Sequence, residues 1–316
     1  MIGESKYSIE VNNLSKKFGS FRSVDSINFN VKQGEIFGFL GANGAGKSTT
    51  IKMLCGILEP SSGDALVAGY SIKNEPDLVK LNIGYMSQRF SLYNDLTVEE
   101  NLNFFGKVYG LSGEKLFERK KWALNIANLS GKENSLTGSL PGGIKQRLAL
   151  GAAVIHKPKI VFLDEPTSGV DPISRRSFWD LIHFLSENGM TVFVTTHYLE
   201  EAEFCHNIIL IDSGKLIAEG TPKELKSKSI NSTIYELGLV DLNEAMEILE
   251  NSSIADEVSI FGNTLHVALK REKNELHLTQ LLSSQGISVN SISIISPSLE
   301  DVFIHLTSKK SEPKTD

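Results

Sequence analysis

The chain has 316 residues, 41% hydrophobic and 22% charged, with a formal net charge of −6. That is the profile of a globular chain with ample core, and a mildly acidic balance argues against the basic face of a nucleic-acid binder, so no nucleic-acid partner is expected. The two cysteines, Cys55 and Cys205, form no CxxC, which argues against a disulfide framework or zinc site and fits a reducing compartment.

In chain order, Met1 to Lys6 shows no basic stretch followed by an apolar one, so no signal peptide is expected. Tyr7, Ile9 and Val11, then Val24, Ile27, Phe29 and Val31, alternate as strands do, and Gly34 marks a turn. Ile36 to Leu40 is a short, wholly apolar strand of the kind buried on both faces. A glycine-rich loop follows, then a helix from Ser48 to Cys55 that ends near Gly56. Glu99 to about Ser130 reads as helical, with Leu102, Phe105, Val108, Leu116, Trp122, Leu124 and Ile126 on the apolar positions. Ile160–Leu163 and Thr191–Thr195 are further buried-type strands, separated by a helix carrying Phe178, Leu181, Ile182 and Leu185. Alternating strands and helices predict an α/β layer on a parallel sheet. The longest apolar runs, such as Ile208 to Ile211, fall far short of the roughly 20 residues a spanning helix needs. Any membrane role would be played from the cytoplasmic side.

A shift to Lys, Ser and Asn near Lys223–Ser232 sets the expected domain boundary, giving a first domain over 1–228 and a second over 229–307. The second reads as strand Thr233–Leu239, helix Leu242–Leu249, strand Ala255–Ile260, strand Thr264–Leu269, helix Leu276–Ser284, strand Ile287–Ile295 and helix Leu299–Leu306. That βαββαβ order is the ferredoxin-like pattern, here with one added helix. The polar tail 308–316 is expected to be disordered.

Gly41-Ala42-Asn43-Gly44-Ala45-Gly46-Lys47-Ser48-Thr49 fits GxxxxGK[ST] between a buried strand and a helix, the context a phosphate loop requires. Glycines let backbone N–H groups turn around phosphate oxygens, and the helix adds its positive end. Lys47 is expected to reach the β- and γ-phosphates of ATP and Ser48 to ligate Mg²⁺. Asp164 and Glu165 end an apolar strand; Asp164 is placed to hold the Mg²⁺ shell and Glu165 to orient an attacking water. Two carboxylates there are costly unless a cation or hydrogen bonds compensate them.

With these motifs the first 220 or so residues resemble the nucleotide-binding domain of ABC transporters. Gln88, in Gly84-Tyr85-Met86-Ser87-Gln88, looks like that family's Q-loop, and Leu140 to Arg147 like its signature segment. Ser168-Gly169-Val170-Asp171 is similar to the D-loop, His197 to the switch histidine, and Phe18 to the aromatic that stacks on adenine. The resemblance implies an α/β phosphate-loop NTPase with a mixed, mainly parallel sheet, an antiparallel β subdomain and a helical subdomain, followed by the small α+β domain. It further implies catalysis by Glu165, His197 and Gln88, with Ser48, Gln88 and Asp164 toward Mg²⁺. The phosphate loop of one copy would grip ATP against Pro141, Gly142 and Gly143 of a second, in a homodimer or a heterodimer with a paralogue, with Asp171 also among the nucleotide-binding residues. A separate transmembrane permease would carry the cargo, with the ATPase on the cytoplasmic face of the inner membrane. The other histidines, His156, His183, His206, His266, His277 and His305, read as structural or solvated.

One departure stands out. Where the family usually has serine this chain has Pro141, which lacks a hydroxyl for the γ-phosphate but suits a helix's first position; Ser139 is a candidate substitute. Gly169 to Arg176 and the ending Pro297-Ser298-Leu299-Glu300-Asp301-Val302-Phe303 resemble bacterial exporter ATPases of the multidrug and antibiotic-resistance branch. Three other readings stay open: a non-transport ABC ATPase, a silent nucleotide sensor and an importer ATPase. The stretch from Thr50 to Leu140 is too short for a repair-type coiled coil.

Overall fold

The computed structural model describes residues 6–88, 92–230 and 232–308. Readings that fall on the first five residues and on 309–316 lie outside these. The chain divides into two units, Met1–Thr221 and Pro222–Asp316.

In the first unit β1 (Tyr7–Phe18) and β2 (Phe21–Lys32) form an antiparallel hairpin. β3 (Ile36–Leu40) is buried at every position and runs into the glycine-rich loop and α1 (Lys47–Leu54). β4 (Ser62–Val67) and β5 (Tyr70–Ser71) return to the hairpin and complete a four-stranded sheet, β2-β1-β4-β5. α2 (Pro76–Asn82) then leads to β6 (Ile83–Met86). The predicted helical stretch is two helices, α3 (Val98–Val108) and α4 (Gly113–Ile126), because Gly110 at φ +76° breaks the first where a side chain would be strained. A Thr97–Glu100 capping box starts α3. After α5 (Gly142–Ala153) come β7 (Ile160–Asp164), α6 (Pro172–Glu187), β8 (Thr191–Thr196), β9 (Asn207–Asp212) and β10 (Lys215–Gly220).

The central sheet has six strands in the order β10-β9-β3-β8-β7-β6. Its pairs are parallel except β9–β10. Its apolar face packs on the hairpin sheet through Phe29, Phe37, Phe39 and Phe193, whose ring centroids lie 5.6–6.2 Å apart. Truncating any of these to alanine would cost about 3–5 kcal/mol. Both cysteines are buried, and burial pushes their thiols well above the ordinary range. They behave as small apolar residues. Among the described residues no helix is long and apolar enough to cross a membrane.

The second unit starts with α7 (Pro222–Lys228), earlier than the composition shift suggested, because α7 packs against α10 (Leu299–Ser308). Between them run β11 (Ile234–Leu239), α8 (Leu242–Glu250), β12 (Ala255–Phe261), β13 (Thr264–Leu269), α9 (Glu275–Ser284) and β14 (Val289–Ile295). The antiparallel order β12-β13-β11-β14 is that of a ferredoxin-like sheet. This unit has its own core, with Leu237, Leu265 and Val267 packed on Leu249, Leu278 and Leu282.

Candidate functional site

Parallel pairing of β3, β8 and β7 puts their carboxyl ends side by side, where open α/β sheets bind ligands. The glycine-rich loop leaves the end of β3 and curls over this edge. Its glycines are needed for different reasons. A Cβ on Gly41 would lie 2.2 Å from the Ile211 carbonyl oxygen, and one on Gly46, at φ +109°, 2.6 Å from that of Ser23. Gly44 has φ +83° but open space around it.

Lys47 is buried and donates to the carbonyls of Gly41 (2.8 Å) and Ala42 (3.2 Å), which turn its ammonium into the loop. Its Nζ also lies 3.3 Å from Glu165 Oε1. The other Glu165 oxygen, Oε2, accepts from Gln88 Nε2 and His197 Nδ1, each at 3.1 Å. Glu165 is therefore a buried carboxylate whose charge is compensated by three side chains, as a buried charge must be. Because a carboxylate only accepts, His197 carries a proton on Nδ1. A hydrogen bond from His197 to a phosphate would then have to come from Nε2 of a protonated ring.

Asp164 is 3% exposed, and its Oδ1 accepts from Ser48 Oγ at 3.1 Å and Thr195 Oγ1 at 2.7 Å. Among the described residues no group of three or more His, Cys, Asp or Glu is arranged to hold a metal ion. One buried carboxylate beside one hydroxyl, with phosphate oxygens to complete the shell, is the donor set that suits Mg²⁺.

Lys47, Ser48, Gln88, Glu165 and His197 line one cavity of about 740 Å³, together with Phe18, Phe21, Ser23, Asn43, Thr49 and Ser168, whereas Asp164 and Thr195 do not line it and reach it through the Asp164–Ser48 bond. Phe18 is 50% exposed at the hairpin tip, so it is not a core residue, and Phe21 pairs with it across the turn. Ala45 is buried under the loop, where its carbonyl accepts from Gly214 N. Sequence reasoning missed Phe21, Ser23, whose hydroxyl donates to Thr49 at 2.9 Å, and Thr195. An aromatic at each side of the turn was a readable signal for Phe21; Ser23 emerges only from the packing of β2 on α1, and Thr195 only from strand register.

Pro141, Gly142, Gly143 and Asp171 do not line this cavity. Pro141 sits one position before the expected place, as the residue preceding the first helical residue of α5, where its carbonyl accepts from Ile144 and Lys145 and no side chain caps the helix. Gly142 is exposed, and a Cβ there would meet nothing within 4 Å. A Cβ on Gly143 would lie 2.5 Å from the Ser174 side chain, so that glycine is explained by close packing of α5 on α6. The carboxylate of Asp171 caps α6 by accepting from Ser174 N at 2.9 Å, and that N–H holds its pKa below the usual carboxylate range. The candidate substitute hydroxyl, Ser139 Oγ, donates to Leu136 O at 2.7 Å.

A mainly parallel sheet, a phosphate-binding loop at its edge and a carboxylate facing the loop lysine define a phosphate-loop ATPase domain. Comparison with known proteins narrows this. The ABC transporter family pattern matches residues 24–168, and that of the ATP-binding protein DrrA1-3-like C-terminal domain matches residues 220–307. The linearmycin resistance ATP-binding protein LnrL of Bacillus subtilis (strain 168) is 37% identical over 95% of this chain and 98% of its own length. The probable multidrug ABC transporter ATP-binding protein YbhF of Escherichia coli (strain K12) is 53% identical over 71% of this chain, which spans 39% of YbhF. The ATP-binding cassette MJ0796, in a dimeric post-hydrolysis structure bound to ADP and Pi, superposes with a TM-score of 0.61 at 28% identity, covering 67% of this chain and 98% of that one. The chain belongs to the ATP-binding proteins of the ABC transporter family, and its first unit is an ATP-binding ABC ATPase domain.

Proposed function

We propose that this chain hydrolyses ATP to drive export through a separate transmembrane permease, docked on the cytoplasmic face of the inner membrane. The observation that carries the ATPase reading is Glu165, held by Lys47, Gln88 and His197 in the phosphate-loop cavity. A carboxylate there can orient water toward a phosphate bound by Lys47, and phosphoryl transfer to water asks chiefly for such positioning and charge neutralisation. Ser48 and Asp164 would hold Mg²⁺, which when bound neutralises charge on the phosphoryl oxygens. Gln88 and His197 fix the Glu165 carboxylate, Phe18 offers an exposed ring to the adenine, and Asn43, Gly44 and Thr49 border the phosphates.

Dimerisation is supported by what one chain leaves undone. Gly142 opens a helix with no side-chain cap, whose first N–H groups form an anion-binding end; it has open space around it and does not line the cavity of the chain's own phosphate loop. A second copy, or a paralogue, would bring that end and its Asp171 loop to the nucleotide. Pro141 withholds a hydroxyl there, so phosphate contacts would come from the backbone.

The permease reading rests on a second cavity, of about 520 Å³, lined in part by Ile57, Leu81, Tyr85, Val108 and Tyr109. Ile57, Leu81 and Val108 are more than half exposed. Tyr85 lies in β6, whose end at Met86 leads directly to Gln88, so a short permease helix seated here would bear on the residue that holds Glu165. Export rather than import is supported by LnrL, named a resistance protein, and by YbhF, named a multidrug transporter protein.

Glu165→Gln keeps the size and hydrogen-bonding reach of the side chain but removes its basicity. ATP binding should persist while turnover falls at least about a hundredfold. Phosphate release at the wild-type rate would remove Glu165 from the reaction.

A further inference from the structure

The geometry points to Thr195 as a positioning residue whose single hydroxyl orients both acidic residues of the site, Asp164 for the cation and Glu165 for water. The inference rests on the roles proposed for those two carboxylates and adds the group that aims them.

β8 lies between β3 and β7, and the parallel register sets Thr195 beside Phe39 on one side and Asp164 on the other. Thr195 is fully buried. Its Oγ1 donates to Asp164 Oδ1 at 2.7 Å and accepts from the Glu165 backbone N–H at 3.1 Å; that N–H is shared with the Thr195 carbonyl, also at 3.1 Å. Both bonding capacities of the hydroxyl are thus used on consecutive acidic residues.

Each bond has a consequence. Asp164 Oδ1 has two hydroxyl donors, from Ser48 and Thr195. When Ser48 turns its oxygen to a cation it has less to give Asp164, and Thr195 remains as the fixed donor that sets which carboxylate edge faces the cation. Groups of this kind, which touch a ligand residue rather than the metal, typically matter 10–100-fold in metal affinity or activity. Glu165, for its part, has φ +48°, a left-handed conformation that a glutamate enters only under constraint. The paired bonds from its N–H to Thr195 supply that constraint where the chain leaves β7, and so direct the side chain toward Lys47, Gln88 and His197. A valine would match the shape of Thr195 but not its hydroxyl, and such a swap is not conservative in a buried polar setting.

The test compares Thr195→Ser, which keeps the hydroxyl, with Thr195→Ala and Thr195→Val, which lack it. Serine and alanine differ by the hydroxyl alone, so that pair decides the matter even if the valine variant fails to fold. Binding of Mn²⁺ to the protein with ADP, read by electron paramagnetic resonance, should weaken about tenfold in the alanine and valine variants and stay near wild type in serine. The Mg²⁺ concentration for half-maximal turnover should rise in parallel, and the maximal rate should fall about tenfold, while binding of metal-free ADP is unchanged. Wild-type Mn²⁺ affinity in Thr195→Ala, or an equal loss in Thr195→Ser, overturns the inference. Glu165→Gln, run alongside, separates the cases. If it turns over normally, the assignment of the whole site is wrong; if it is inactive while Thr195→Ala behaves as wild type, only the role of Thr195 is.

Discussion

Glycines that look alike in the sequence do different work. Gly41 has no room for a side chain, since the obstructing atom is the Ile211 backbone carbonyl, whereas Gly142 has nothing near it in its own chain. Gly41→Ala should lower the midpoint of thermal unfolding by about 5–10 °C, as overpacking against backbone does. Gly142→Ala should leave the midpoint and nucleotide binding intact, because alanine is the better helix former, yet lower turnover at least about tenfold by crowding the phosphate held by a partner. Thermal scans, nucleotide titration and phosphate release on both variants check this. Unchanged turnover in Gly142→Ala would mean that no partner nucleotide closes on that helix end. At this scale the residues singled out by motif, Lys47, Ser48, Asp164, Glu165 and His197, are ones the fold brings together. The sequence was silent on Thr195 and Ser23, because a buried threonine in a strand looks the same whether its hydroxyl faces a carboxylate or a backbone carbonyl.

Among the secondary elements, the weakest reading was the helical region, where a continuous apolar period hid the break at Gly110. Tyr109 lies at that break and stacks on His156, with ring centroids 3.5 Å apart, joining the end of α3 to the segment after α5. His156 Nε2 donates to the Ile83 carbonyl at 3.0 Å, and burial holds the ring's pKa down to about 4. The unfolded chain protonates this histidine near its ordinary value of 6.5, the folded one only near 4. Between those values the unfolded state binds more protons, so this group's contribution is complete above pH 6.5 and is lost as pH falls toward 4. His156→Phe should be less stable than wild type at pH 7, lacking the bond to Ile83, yet lose less stability on acidification. Unfolding midpoints across that range give the comparison, and parallel curves would show that His156 does not titrate on unfolding. Strand register is what the sequence could not supply. The buried strands β3, β7 and β8 were readable as apolar runs, but their order, which brings Thr195 to Asp164, depends on long-range pairing.

Each of the two units has a core of its own, and every residue lining the phosphate-loop cavity belongs to the first unit. A fragment ending at Thr221 should therefore fold and bind ATP as the full chain does, a result that circular dichroism and nucleotide titration can check. Loss of nucleotide binding in a folded fragment would reveal a dependence on the second unit. The ferredoxin-like order of that unit was visible in its alternation of strands and helices. Its start was not, because α7 resembles a linker in composition and becomes part of the unit only through its contact with α10.

That contact has an evolutionary corollary. α7 and α10 lie side by side within the small unit, and the Thr221–Pro222 junction cuts through neither unit. A recombination point there would leave both cores whole, so lineages sharing the motor need not share the appendage.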